Sequence, residues 1–300
     1  MPAKKLGVTL MHEHIFWDWT GADSNNSYDV DDVAATILPY LLALKDVGCS
    51  TLVDATTCGA GRNVGILMKC AGLSGLNIIT NTGAWDGFDL NGKCVPAFIK
   101  DGETDEIAGL WTAEFFDGID GTKVKPGFIK VALGDIGHIT PMQEKILRAA
   151  ARTSINTGLV LQCHSFCNNS ALDAVRIIEE EKMPYDRFIW VHADKGEMAS
   201  VIELARRGIW VEFDTLARAQ DFGIHLDKVE KMLEEGLEGR LLLSQDAGMY
   251  YYGEKNDEST IFPFSRILME FLPLCRQRGI QQNTIDRLLV ENPARALDII

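Results

Sequence analysis

No run of 18 or more apolar residues occurs in this sequence, so no transmembrane helix is expected. Basic residues are scarce: 29 Lys and Arg against 43 Asp and Glu leave a formal net charge of −14. Non-specific nucleic-acid binding, which needs clustered cations against phosphates, is therefore not expected. There is no paired CxxC spacing among Cys49, Cys58, Cys70, Cys94, Cys163, Cys167 and Cys275, an odd and scattered set that reads as reduced, mostly buried thiols. Neither a GxGxxG turn nor a Walker sequence is present, which removes the usual phosphate-cradling signals. The opening Met1-Pro2-Ala3-Lys4-Lys5 runs too quickly into His12-Glu13-His14 for a signal peptide, and a cytoplasmic protein is expected. Disorder is excluded by 46% hydrophobic residues at a mean hydropathy of −0.01.

What is present begins with Val8-Thr9-Leu10-Met11-His12-Glu13-His14, an apolar run ending in two histidines one residue apart. Alternation along a strand puts His12 and His14 on one face, the geometry of a metal-ligand pair. Two imidazoles do not make a site, and a bare HxH is more often an ordinary core feature. The partners must come from elsewhere in the chain.

The rest of the chain follows one grammar. Val33, Ile37, Leu41 and Leu44 recur at helical spacing until Gly48, and the strand Ser50 to Asp54 follows at once. A helix about Asn63 to Ala71 leads to the strand Asn77 to Asn81, then to a Gly- and aromatic-rich insert from Gly83 to Lys100. An acidic helix near 104–117 precedes the strand Gly127 to Val131. Thr140-Pro141-Met142-Gln143 is a helix start, with Thr as cap, Pro at the first position and Gln able to close a capping box. Strands at 159–163, 187–191, 209–213 and 240–244 then alternate with helices near 170–182, 197–207 and 226–236. Eight strand–helix units predict an α/β chain folded as one (β/α)₈ TIM barrel over residues 1–300. A doubly wound sheet is the competing fold, but its Gly-rich turn is missing.

In such a barrel the strand C-termini open on one face. His12 and His14 close strand 1, Lys130 lies in strand 4, His164 follows strand 5, His192 ends strand 6 and Asp246 follows strand 8. His138 and His225 fall outside this ring and read as bystanders. An ammonium on Lys130, aimed into a barrel mouth beside metal ions, would be repelled and costly to desolvate. It must be neutral or paired, and a neutral amine can take up CO₂ as an anionic carbamate.

The order HxH, Lys, His, His, Asp on successive strands resembles the phosphotriesterase family of the amidohydrolase superfamily, including its lactonases. Local sequences are similar too: Leu10 to His14, Gly127 to Val131, Thr140-Pro141 through Arg152, and Glu291-Asn292-Pro293-Ala294-Arg295. The resemblance implies a metal-dependent hydrolase with two divalent ions, usually zinc, manganese or cobalt. One ion would be held by His12, His14 and Asp246, the other by His164 and His192. Carbamylated Lys130 and a hydroxide would bridge them, with Asp246 as proton acceptor.

Ser244 to Gly253 resembles the branch acting on sugar lactones, so a lactonase is the first expectation. Phosphotriesterase, carboxylesterase or amidase activity on the same site is the alternative, and a ligand-binding protein on a degenerate barrel the non-enzyme one. Trp17, Trp19 and Trp85, with Tyr250 to Tyr252 after strand 8 and Tyr250 the first choice among them, are expected in the pocket wall, with Lys195 and Arg218 available for an anionic group. A small-molecule substrate and a homodimer are the expected partners.

Overall fold

Residues 2–24, 26–87, 92–134 and 137–299 are described by a computed structural model. Its strands are β1 (Thr9–Trp17), β2 (Thr51–Asp54), β3 (Asn77–Ile79), β4 (Asn81–Trp85), β5 (Phe128–Ala132), β6 (Leu161–His164), β7 (Phe188–Val191), β8 (Trp210–Phe213), β9 (Leu241–Leu243) and β10 (Gly248–Tyr251). All pairs are parallel, and they form two runs, β10-β1-β2-β3 and β4-β5-β6-β7-β8-β9.

The runs are halves of one barrel. Only Thr80 separates β3 from β4, so the expected third strand is one passage whose lower part pairs with β2 and whose upper part pairs with β5. It continues to Trp85, four residues beyond the expected end at Asn81. On the other side the chain leaves β9 and closes on β1: the Asp246 amide donates to the His12 carbonyl, and the His14 amide donates to that of Ala247. Residues 88–91 of the expected insert lie outside the described residues.

Local chemistry sets the helices between the strands. Asp29 caps the first (Val30–Asp46), accepting from the amides of Asp31 and Asp32, and its buried stripe includes Val33, Ile37, Leu41 and Leu44. The predicted capping box opens the helix Pro141–Thr157: the Gln143 amide donates to Thr140 Oγ1 at 3.2 Å, and the Thr140 amide to Gln143 Oε1 at 3.1 Å. No described helix is long and apolar enough to cross a membrane.

The core has two layers. A large one lies between strands and helices; a smaller one includes Met11, Val53, Phe128, Ile189, Trp210 and Leu242, and Leu6 and Leu297 close its floor. Apolar filling below leaves the charged and histidine side chains gathered toward the upper end of the barrel, which is where a site can form. Close strand approach there depends on Gly83 (φ +124°), since a Cβ would sit 1.9 Å from the Lys130 carbonyl oxygen.

Candidate metal centre and active site

His12 and His14 leave β1 on the same side, with their Nε2 atoms 3.2 Å apart. A register shift between Leu10 and Glu13 lets Met11 stay in the inner core while His12 points into the mouth. Asp246, in a left-handed backbone conformation (φ 57°), brings Oδ1 to 3.3 Å from His14 Nε2 and 3.8 Å from His12 Nε2. These three form one set of side chains able to hold a cation. The ring of His14 is fixed from behind by Thr56 Oγ1, 2.8 Å from its Nδ1.

Across the mouth, His164 ends β6 and His192 follows β7, with His192 Nε2 2.8 Å from His164 Nδ1. Lys130, on β5, is fully buried, and its Nζ has no hydrogen-bond partner among the described residues. All six residues expected at the centre therefore converge. Between the two histidine groups lies a residue that the sequence reading did not select: Asp214, directly after β8, is 2.7 Å from His192 Nδ1 and 3.1 Å from His12 Nδ1. It forms a second cation-capable set with His12 and His192. Its position one residue past a strand end was the available signal, but it belongs to no HxH-like pair.

Burial dominates the electrostatics. It pushes His12 and His164 well below the usual imidazole value and takes His14 down to about 4, against the pull of Asp246. Lys130 is pushed down to about 8 by burial, although Asp214, Glu212 and Asp246 pull the other way. For Asp246 burial is overcome: His14, followed by His192 and Arg218, holds the carboxylate far below its ordinary range. Asp214 and Glu212 go up, through burial and their neighbouring carboxylates.

The result is a dry cluster of neutral imidazoles around an ionised Asp246, with imidazole and carboxylate lone pairs aimed at one another. A single proton cannot satisfy both the His12–His14 and His14–Asp246 contacts, whereas a divalent cation takes all three as ligands. The residues present thus fit the binuclear centre implied by the resemblance.

Above the cluster is a cavity of about 310 Å³ lined by His12, His14, His164, His192, Asp246, Trp17, Trp19, Trp85, Phe166, Arg218, Met249 and Tyr251. The tryptophans form a wall, with Trp17 4.5 Å from Trp19 and 5.0 Å from Trp85 between ring centroids. Phe166, also missed in the sequence, packs 4.5 Å from His192 and 4.7 Å from His164.

Tyr250 does not line this cavity; Tyr251 does. Pairing of β1 with β10 puts Tyr251 opposite Trp17 and Tyr250 opposite Phe16, so Tyr250 stacks on Phe16 and donates to Asp32 Oδ2 at 2.7 Å. Lys195 is displaced as well, lining an adjoining cavity of about 180 Å³ with Thr215, Arg218 and His225. The two cavities share Phe166, Arg218 and Asp246. His225 is therefore more than a bystander: its Nε2 lies 3.1 Å from Asp194 Oδ2 and 3.0 Å from Thr215 Oγ1. His138 is exposed and away from both cavities.

A sequence model of the phosphotriesterase family matches residues 1–297. The chain is 26% identical to an aryldialkylphosphatase of Saccharolobus solfataricus, over 98% of this chain and 95% of that protein. It is also 26% identical to an N-acetyltaurine hydrolase of Danio rerio, over 86% and 75% respectively. In structure it is similar to a mutant organophosphorus hydrolase from Deinococcus radiodurans, with a TM-score of 0.87 and 27% identity, covering 99% of this chain and 95% of the other. A barrel whose upper end gathers this histidine, lysine and aspartate set, together with a family match over nearly its whole length, makes the chain a hydrolase that belongs to the phosphotriesterase family.

Proposed function

We propose that the protein is a binuclear metal-dependent lactonase, opening a compact carboxylic ester ring in the aromatic-walled cavity. The observation that carries this reading is the convergence of buried, neutral imidazoles and an ionised Asp246 at the base of that cavity. His12, His14 and Asp246 would hold one divalent ion, and His164 and His192 the other. Zinc, manganese and cobalt all suit imidazole and carboxylate ligands. Bound as a pair, such ions supply a Lewis acid for the substrate oxygen and an acidified water.

The chain's own groups do the rest. Lys130, when neutral, could add CO₂ through its Nζ lone pair with loss of one proton, and the resulting anionic carbamate would serve the centre as a further ligand. Asp246, held ionised, is the proposed proton acceptor. Trp17, Trp19, Trp85 and Tyr251 exclude water and fit the flat face of a small ring. Arg218 reaches Asp246 Oδ2 at 3.2 Å and faces both cavities, so with Lys195 it is placed to receive a polar or anionic ring substituent in the smaller cavity.

A phosphotriester is the second reading, favoured by the likeness to an aryldialkylphosphatase and an organophosphorus hydrolase. Metal analysis of zinc- or manganese-loaded protein, with a panel of lactones, linear esters, N-acyl amides and phosphotriesters followed by proton release, tests both. About two ions per chain and the highest kcat/KM on lactones are expected. A saturating content near one ion defeats the binuclear centre, and turnover of phosphotriesters without lactones defeats the lactonase reading. Trp19→Ala and Tyr251→Ala should raise KM for the preferred lactone with metal content unchanged, while Tyr250→Ala should not.

A further inference from the structure

The carboxylate of Asp214 lies between two imidazoles that belong to opposite halves of the cluster. It is fully buried directly after β8, does not line the substrate cavity, and presents one oxygen to each ring. Oδ1 lies at hydrogen-bond distance from His192 Nδ1, 2.7 Å away; Oδ2 is 3.1 Å from His12 Nδ1, in close contact but without hydrogen-bond alignment. The other nitrogen of each ring turns inward, His192 Nε2 toward His164 and His12 Nε2 toward His14 and Asp246.

We infer that Asp214 is a positioning residue that sets the tautomer of His12 and His192 together, leaving both Nε2 lone pairs facing the cation sites. This rests on the proposed binuclear centre for its purpose, but the tautomers themselves are a property of the metal-free chain. The reasoning is elementary. An ionised carboxylate is acceptor-only and a neutral imidazole carries one ring proton, so with a Nδ1 turned to each of its oxygens Asp214 is held ionised against the burial that pushes it up, each Nδ1 takes the proton, and the opposite nitrogen keeps its lone pair. His192 needs such an anchor more than a strand residue does. Its backbone is left-handed (φ 64°), so regular strand geometry does not aim its ring.

Asp214 could instead ligate a cation itself, since its oxygens and the two Nδ1 atoms are close enough. Two observations oppose this. An ion there would sit behind the rings, away from the cavity, and would leave the Nε2 protons of both rings pointing at the nitrogens of His14 and His164. Orienting ligand histidines from behind is a usual task for a buried carboxylate, and its loss typically costs 10–100-fold in metal affinity.

The test compares full-length wild type and Asp214→Asn, both stripped of metal, by two-bond proton–nitrogen correlation of ¹⁵N-labelled histidines, followed by zinc titration. The wild type is expected to show His12 and His192 protonated at Nδ1. Asn has one acceptor oxygen and a donating amide, so in the variant one of the two rings should switch to the Nε2-protonated form, with zinc affinity down by about 10–100-fold. Unchanged tautomers with lost zinc would make Asp214 a direct ligand and overturn the inference. A switched tautomer with wild-type zinc affinity would overturn it too. If the variant does not fold, the wild-type spectrum decides alone: an Nε2 proton on His12 or His192 sinks the inference. Failure of the binuclear reading would appear separately, as a saturating zinc content near one in the wild type.

Discussion

Lys130 is the side chain on which the chemistry of the centre turns. Burial lowers it to about 8, so below that pH the ammonium dominates and above it the amine. Only the amine can add CO₂. Zinc loading at fixed dissolved CO₂ should therefore rise with the amine fraction, by about tenfold in all from pH 7 to 9 and mostly below pH 8. His14 falls to about 4, so it is already neutral across that range and adds no inflection there. Stopped reconstitutions analysed for bound zinc give the profile; a flat one would rule out control by Lys130. Lys130→Ala should lose both the pH dependence and the metal, with partial rescue by short carboxylates that can occupy the bridge.

The element that most directly aims the ligands is the seam between β1 and the turn from Ser244 to Ala247. Glu13, flanked by the two histidines, points to the opposite side and clamps this turn. Its Oε1 accepts from Ser244 Oγ at 2.7 Å and from the Gln245 amide at 3.3 Å, and its Oε2 from the Ala247 amide at 2.7 Å. Asp246 lies inside the clamped segment, so its unusual backbone is held by neighbours on both sides. Glu13→Gln replaces one acceptor with a donor facing donors, at a cost of about 1–3 kcal/mol. Denaturant unfolding should show a lower midpoint at unchanged slope, and zinc should be lost at denaturant concentrations below the main transition. Loss of stability without earlier loss of zinc would mean that the clamp does not control Asp246.

For the whole molecule, the centre joins strands from every quarter of the barrel: β1, β5, β6, β7, and the segments after β8 and β9. An ion held there binds the closed barrel and not the unfolded chain, so it stabilises by mass action. At a free concentration about a hundred times its dissociation constant, each ion adds about 2.7 kcal/mol. Zinc-loaded protein should therefore melt several degrees above chelator-treated protein, and the Tm should climb with free zinc. A Tm independent of zinc would show that these residues do not bind the ion in the folded state. The −14 charge has no such local consequence; it bears on solubility.

Much of this was written locally in the chain. Helical and strand periods, the Thr140–Gln143 box and the regular alternation of units determined a barrel, because each depends on residues within a few positions of one another. The strand-end rule then placed His12, His14, Lys130, His164, His192 and Asp246 in the mouth, because every strand in a parallel barrel ends on the same face. What the tertiary structure decided are contacts between distant segments. Asp214 became a partner of His12 only through closure across some two hundred residues. Phe166 entered the cavity by packing on His164 and His192 from the segment after β6, whereas Tyr251 entered and Tyr250 left it because the register of β10 on β1 sets which tyrosine follows Trp17 inward. Moving by one residue along a strand reverses its face, and that parity is fixed by the neighbouring strand, not by the tyrosines themselves.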